Sequence, residues 1–326
     1  MPLSLATPIT ANDILWIDHL SPGHPVYALH DGTTAIVVKQ EQVHFPVGRK
    51  EALRHNLLLM SAVDLDAAVV VLSGAEVTEL TQFVENEAQL AIVTGIAVSP
   101  AVQNITLALG MPGKWVKMAV KRLFDLEKAA TQLANGDKSG VRRFAHALNA
   151  VGGLEMLGEI IAVDLFNDNT DRFVVAGGGR QYNGITLNHM VNIGNVLLSS
   201  GRVSGLDSWD PNAAIKNTRS TLANLDPNNE WGGYLLSPAA AVTINNRVLT
   251  ADAFAAQVVV DLEFVLGPRN RRLRGLRTGR LDAHASTRIV RGMRLAIPRM
   301  RARLRLEVPL PQLIQDKANA LGWNPL

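Results

Sequence analysis

Leu157-Gly158-Glu159-Ile160-Ile161-Ala162-Val163-Asp164-Leu165-Phe166-Asn167-Asp168-Asn169-Thr170-Asp171-Arg172-Phe173 is an apolar run that breaks into an acid-bearing polar loop. Apart from Glu159 and Asp164 the run to Phe166 is apolar and reads as a helix. The Asn-Asp-Asn-Thr-Asp sequence after it predicts a loop, because short polar side chains bond their own backbone. Further along, Asn192-Ile193-Gly194-Asn195-Val196-Leu197-Leu198 and Val203-Ser204-Gly205-Leu206-Asp207 read as two short strands. The turn between them falls at Ser199-Ser200-Gly201. The helix thus delivers a carboxylate into a loop, and the hairpin carries an amide at its entrance and a second carboxylate at its exit.

Phosphoryl transfer needs such a set: one carboxylate near the attacking hydroxyl, and oxygen ligands that hold magnesium against the phosphates. Asp171 is the candidate for the first role, with Asp164 and Asp168 as rivals. Asp164 falls at the apolar end of the helix, where a buried acid needs a partner; Asp168 reads as a turn residue. Asn195 and Asp207 are the candidate metal ligands, with Asn192 as a substitute.

On the amino-terminal side, Ile14–Asp18, Val26–Leu29 and Thr34–Lys39 predict three strands. They are joined by Ser21-Pro22-Gly23-His24-Pro25 and by the hairpin signal Asp31-Gly32. A helix is expected from near Arg49, with Glu51 in its first turn. Asp66–Leu72 reads as a buried strand from its Val run, and Leu90–Val98 as another. From Lys114 onward, Trp115, Met118, Leu123, Leu126 and Leu133 predict a helix. Val141–Asp164 predicts one or two more, broken at Gly152-Gly153. Val174-Val175 and Ile185-Thr186-Leu187 predict a hairpin tipped by Gly177-Gly178-Gly179, and Ala251–Leu266 a helix. Strands first and helices afterwards predict an α+β chain of two lobes, residues 1–110 and 111–326.

The order Lys39, Glu51, Asp171-Arg172, Asn195, Asp207, with Asn169-Thr170-Asp171-Arg172 as the loop, resembles the protein-kinase-like superfamily. It is most similar to the atypical branch of actin-fragmin kinase and the phosphoinositide 3- and 4-kinases. The resemblance spans roughly residues 14–210 and implies a two-lobe kinase-like fold with a small β-rich N-lobe and a mostly helical C-lobe. It implies ATP between the lobes, its phosphates gripped by Lys39 and covered by the loop holding Ser21 and Gly23. Glu51 is implied as the partner of Lys39, with Glu76 and Glu79 as rivals. Asp171 with Arg172 would serve the acceptor hydroxyl, and Asn195 and Asp207 would hold Mg2+. The acceptor implied is a protein Ser or Thr. The alternatives are a phosphoinositide kinase, an AMP transferase on the same fold, or a pseudokinase acting through a surface.

Composition bounds the rest. Of 326 residues 47% are hydrophobic and 19% charged, an ordinary globular balance. There is no cysteine, so thiol chemistry and disulfides are excluded. No secretory signal or membrane-length apolar run is visible, so a cytoplasmic protein, or an effector delivered into a host cell, is expected. Gly177-Gly178-Gly179 lacks the Lys-Ser/Thr of a P-loop, and no Gly-x-Ser-x-Gly elbow occurs. Between Arg269 and Arg305 stand thirteen Arg, no Lys and one acid, Asp282, a local charge of +12 in a chain of +3. The remainder therefore carries −9. Arg274, Arg277, Arg288, Arg291 and Arg294 fall at helical spacing. Their fork geometry suits phosphate or carboxylate, so an anionic activator or acidic partner is expected there. Nucleic acid is disfavoured by the scarcity of aromatics.

Overall fold

The computed structural model describes residues 2–21, 23–41, 69–119, 123–126, 128–129, 132, 136–166, 180–182, 185–187, 196–199, 201–205, 242–244, 247–266, 281–306, 310, 315, 318–319 and 322–323. The chain is α+β. It divides into two compact units, Met1–Pro46 with Ala67–Lys121, and Val47–Asp66 with Arg122–Leu326.

The first unit is built on a five-stranded sheet of β1 (Trp16–His19), β2 (Val26–His30), β3 (Ala35–Glu41), β4 (Val69–Val71) and β5 (Lys114–Ala119). Its order is β1-β2-β3-β5-β4 and every neighbouring pair is antiparallel. Asp31-Gly32 makes the β2–β3 turn as the sequence predicts. Gly32 adopts φ 89, which a side chain would resist, and the Asp31 carboxylate accepts from the Thr33 and Thr34 amides at 2.8 and 2.5 Å. Bonds from the Thr34 hydroxyl and amide, and from the Leu3 amide, hold that carboxyl well below its ordinary range.

Strand periodicity sorts the sheet into two faces. One carries Ile17, Tyr27, Leu29, Ile36, Val38 and Trp115, all in the main core with Leu80, Phe83, Val84, Val102 and Ile105. The last five belong to α1 (Gly74–Thr94) and α2 (Pro100–Leu109), which cover this face.

Two expectations fail here. Leu90–Val98 is not a strand: Leu90–Thr94 completes α1. That helix is nucleated far upstream by Ser73, whose hydroxyl accepts from the Glu76 amide while Glu76 accepts from the Ser73 amide. Once nucleated, it propagates through the β-branched Ile92-Val93-Thr94 to Gly95 in the left-handed region. Nor is Lys114–Ala119 helical. It is an inner strand between β3 and β4, and Trp115, Val116, Lys117 and Met118 are all buried because both faces of an inner strand can be covered. β4 forms as a strand but is not the buried one its Val run suggests: it is the far edge of the sheet, with Val70 and Val71 more than a third exposed.

In the second unit, β6 (Leu123–Asp125) is followed by α3 (Ser139–Asn149) and α4 (Gly153–Phe166). The break at Gly152-Gly153 lies where the sequence places it, with Gly152 at φ 83. β7 (Arg180–Tyr182) pairs antiparallel with β8 (Ile185–Leu187), Tyr182 opposite Ile185; Val174-Val175 and the Gly177-Gly178-Gly179 run lie outside the described residues. β9 (Val196–Ser199) and β10 (Arg202–Gly205) form a three-stranded sheet with β6. A second hairpin, β11 (Val242–Ile244) and β12 (Arg247–Leu249), leads to α5 (Ala251–Val265) and finally to α6 (Ala285–Arg305).

α4 is buried along its whole length and crosses α6 at glycines on both sides. A Cβ at Gly158 would run into the Ile289 carbonyl, and one at Gly292 into that of Glu155. Gly153 meets the Ala147 carbonyl in the same way. No helix among the described residues is long and apolar enough to cross a membrane.

Candidate functional site

Lys39 lies in β3, one residue along from the core position Val38, and so belongs to the opposite face of the sheet. It shares that face with Val37 two residues earlier and with their cross-strand partners Val26, Ala28, Val116 and Met118. The lysine is half-buried, and Ala28, Val37, Val116 and Met118 are buried. Lys39 thus brings a positive charge to a sheet face whose other members here are apolar, a combination suited to a flat ring beside an anionic group.

The loop between β1 and β2 adjoins this lysine. Lys39 pairs with Val26, the first residue after the loop, and the Gln40 amide donates to the Pro25 carbonyl at 2.9 Å. Ser21 is half-buried and Gly23 is exposed with φ 85. Prolines 22 and 25 have no N–H, and the His24 amide is spent on the Ser21 carbonyl at 3.0 Å. The loop therefore offers few backbone donors, and a phosphate beneath it would rely on Lys39 for charge.

The rivals for the acidic partner of Lys39 are occupied on the other face. Glu76 pairs with Lys117 of β5: Nζ donates to Oε1 at 2.6 Å, with side-chain exposures of 3% for the lysine and 8% for the acid. Lys117 is registered with Val38, so it and Lys39 point to opposite sides. The same Nζ donates to the Thr7 carbonyl at 2.8 Å, and the Ile9 amide donates to Glu76 Oε1 at 3.2 Å. Burial pushes the Glu76 carboxyl up, but hydrogen bonds from Lys117, Ser73 and Ile9 outweigh it and hold the group below its ordinary value. Glu79 accepts from the Ala11 amide at 2.8 Å. Both acids thus tie the amino-terminal segment down and neither serves Lys39. The Ser73-x-x-Glu76 spacing was the available signal for this buried acid, since it marks a helix start. Glu51 lies outside the described residues.

The second unit supplies the carriers of the other candidates. α4 ends at Phe166, which stacks on Trp323 at 5.1 Å. Asp164 is 1% exposed within the last turn of α4, a packed position rather than an open one. The β9–β10 hairpin forms as the sequence predicts, with Val196 paired to Gly205 and Gly201 at φ 79 in the turn. Asn195 directly precedes it and Asp207 follows two residues after its last pair, so the chain enters and leaves at one end. α4 packs against β10. The helix that precedes Asn167–Asp171 in sequence therefore packs against the hairpin that Asn195 and Asp207 flank in sequence. Asp168, Asp171, Arg172, Asn192, Asn195 and Asp207 themselves lie outside the described residues. Among the described residues no group of three or more His, Asp or Glu could hold a metal ion.

Arg288 leaves the set expected to bind an anion. Its guanidinium is bidentate on Glu155, with Nε to Oε1 at 3.1 Å and Nη2 to Oε2 at 2.8 Å. It also donates to the Asn149 and Ala150 carbonyls at the end of α3 and to Asp282 at 3.2 Å. These bonds hold the carboxyls of Glu155 and, after the stronger contribution of the His284 amide, Asp282 below their ordinary range. Arg288 is thus a clamp joining α3, α4 and α6. Arg299 likewise pairs with Glu159. Arg291 and Arg294 are exposed on α6, and Arg274 and Arg277 lie outside the described residues.

No family model, no curated protein and no solved structure matches the chain.

Proposed function

We propose that the chain is an ATP-dependent phosphotransferase, acting on a Ser or Thr hydroxyl of a protein. The observation that carries this reading is the setting of Lys39. It stands on the sheet face opposite the helix-covered core, flanked by Val37, Ala28 and Val26, and directly across from the end of the Ser21–Pro25 loop. A lysine so placed suits the α- and β-phosphates, with adenine against the apolar neighbours. In this reading Glu51 orients Lys39, and Ser21 and Gly23 lie over the phosphates. Asp171 positions the acceptor hydroxyl with Arg172 beside it, and Asn195 and Asp207 hold Mg2+, which neutralises charge on the transferred group. The β9–β10 hairpin supports the last assignment, since its two ends lie together.

The test is thermal unfolding with and without Mg–ATP, followed by label transfer. A ligand in hundredfold excess over its dissociation constant adds about 2.7 kcal/mol to the folded state. A rise in melting temperature is expected for the wild type and its loss for Lys39→Met and for Asp207→Ala. Label from the γ-phosphate then marks a kinase and label from the α-phosphate an AMP transferase. A wild-type protein that neither shifts nor labels refutes the proposal.

A further inference from the structure

The carboxyl-terminal end of α1 is built to be covered. The helix has 21 residues and is roughly 31 Å long at 1.5 Å per residue. Its buried side chains, Glu76, Leu80, Phe83 and Val84, all lie at or before Val84. Beyond them Leu90-Ala91-Ile92-Val93 forms a full turn of apolar side chains, which at 100° per residue point to every side. Leu90, Ile92 and Val93 are 55%, 75% and 74% exposed, and Ile96, just past the Gly95 cap, is 70% exposed. A turn that is apolar all round ordinarily lies inside something, and a contiguous exposed apolar patch marks an interaction site.

The electrostatics say what kind of partner it takes. Residues 56–113 contain no Lys, Arg or His. Exposed Glu85 stands two turns before Ile92 on the same side of α1, and half-buried Glu87 one turn before Leu90. The helix end adds the negative pole of its dipole. An anionic bilayer is repelled by this rim, and a second copy of the same patch would bring like charges together.

We propose that this end of α1 docks a cationic amphipathic helix of a partner protein. The partner's apolar stripe covers Ile92, Val93 and the adjoining Ile96, while its Lys or Arg side chains meet Glu85, on the same side as Ile92, and the last carbonyls of α1. The proposal does not depend on the phosphotransferase reading.

The test uses the full chain and a fluorescent synthetic helix of about 18 residues made of Leu and Lys, the leucines at i, i+3, i+4 and i+7. Saturable one-to-one binding by anisotropy is expected, weakening at least tenfold in an Ile92→Ser, Val93→Ser double variant. Glu85→Gln should weaken it severalfold and flatten its dependence on salt. These side chains are exposed, so the variants should melt as the wild type does. A peptide of the same composition with scrambled spacing that binds equally well overturns the proposal. So does unchanged affinity in the apolar double variant. Sedimentation showing a wild-type dimer that the variant dissolves would assign the patch to self-association, and flotation on vesicles of anionic lipid would assign it to a membrane.

Discussion

Lys117→Met should be among the most damaging single changes in the first unit, and its effect should depend on pH in a particular direction. The substitution removes the 2.6 Å bond to Glu76 and the 2.8 Å bond to the Thr7 carbonyl. Breaking a buried ion pair from one side costs about 3–5 kcal/mol. Glu76 would keep the Ser73 amide at 2.9 Å, the Ser73 hydroxyl at 3.0 Å and the Ile9 amide at 3.2 Å. The lower end, about 3 kcal/mol at pH 7, is therefore expected. In the wild type the folded carboxyl titrates below its ordinary value of 4.5. Its contribution is present above that value and is lost as pH falls through the lowered one. In the variant the strongest lowering bond is gone, so the folded carboxyl titrates higher than it does in the wild type. As pH falls through the carboxylate range the acid is neutralised in both proteins and the attraction lost with Lys117 no longer counts. The stability gap between the two proteins should therefore shrink on acidification. Urea unfolding followed by the fluorescence of Trp115, 4% exposed on the same strand, measures this. Adding Glu76→Gln to Lys117→Met should recover part of the loss. A cost below about 1 kcal/mol, or a gap independent of pH, would refute the buried pair.

Gly158→Ala should destabilise the second unit by about 1–3 kcal/mol or more, because the new methyl meets the Ile289 backbone rather than a movable side chain; calorimetry checks it. Arg288→Lys keeps the charge but loses the fork that reaches Glu155, Asp282 and two carbonyls at once. It should cost about 1–3 kcal/mol in the same experiment. Lys39→Met should abolish the Mg–ATP shift, measured as the difference between the variant's melting temperatures with and without the ligand.

Turn chemistry was the most legible part of this sequence. Asp31-Gly32, Gly152-Gly153 and Ser199-Ser200-Gly201 each mark the break they predict, because the backbone there needs what those residues offer. The helices on either side of Gly152-Gly153 and the one from Ala251 were equally plain, each being at least eleven residues long. Short apolar runs misled in both directions. Ile92-Val93-Thr94 suggests a strand by composition, yet a capping box many residues upstream decides it. Trp115–Met118 suggests a helix by spacing, yet an inner strand buries both its faces and so loses its alternation. The setting of Lys39 was legible from strand order. The commitments of Glu76 and Arg288 were not, since their partners lie 41 and 133 residues away.

The pairing of β3 with β5 also governs how the sheet comes into being. Glu41 is registered with Lys114, so the meander of the first three strands is complete long before its fourth neighbour exists. On a ribosome that has released only the first hundred residues, β3 is a bare border, its amides and carbonyls offered to any passing strand. Closure must await Ala119, and a nascent chain stalled before that point would be a natural client for a chaperone.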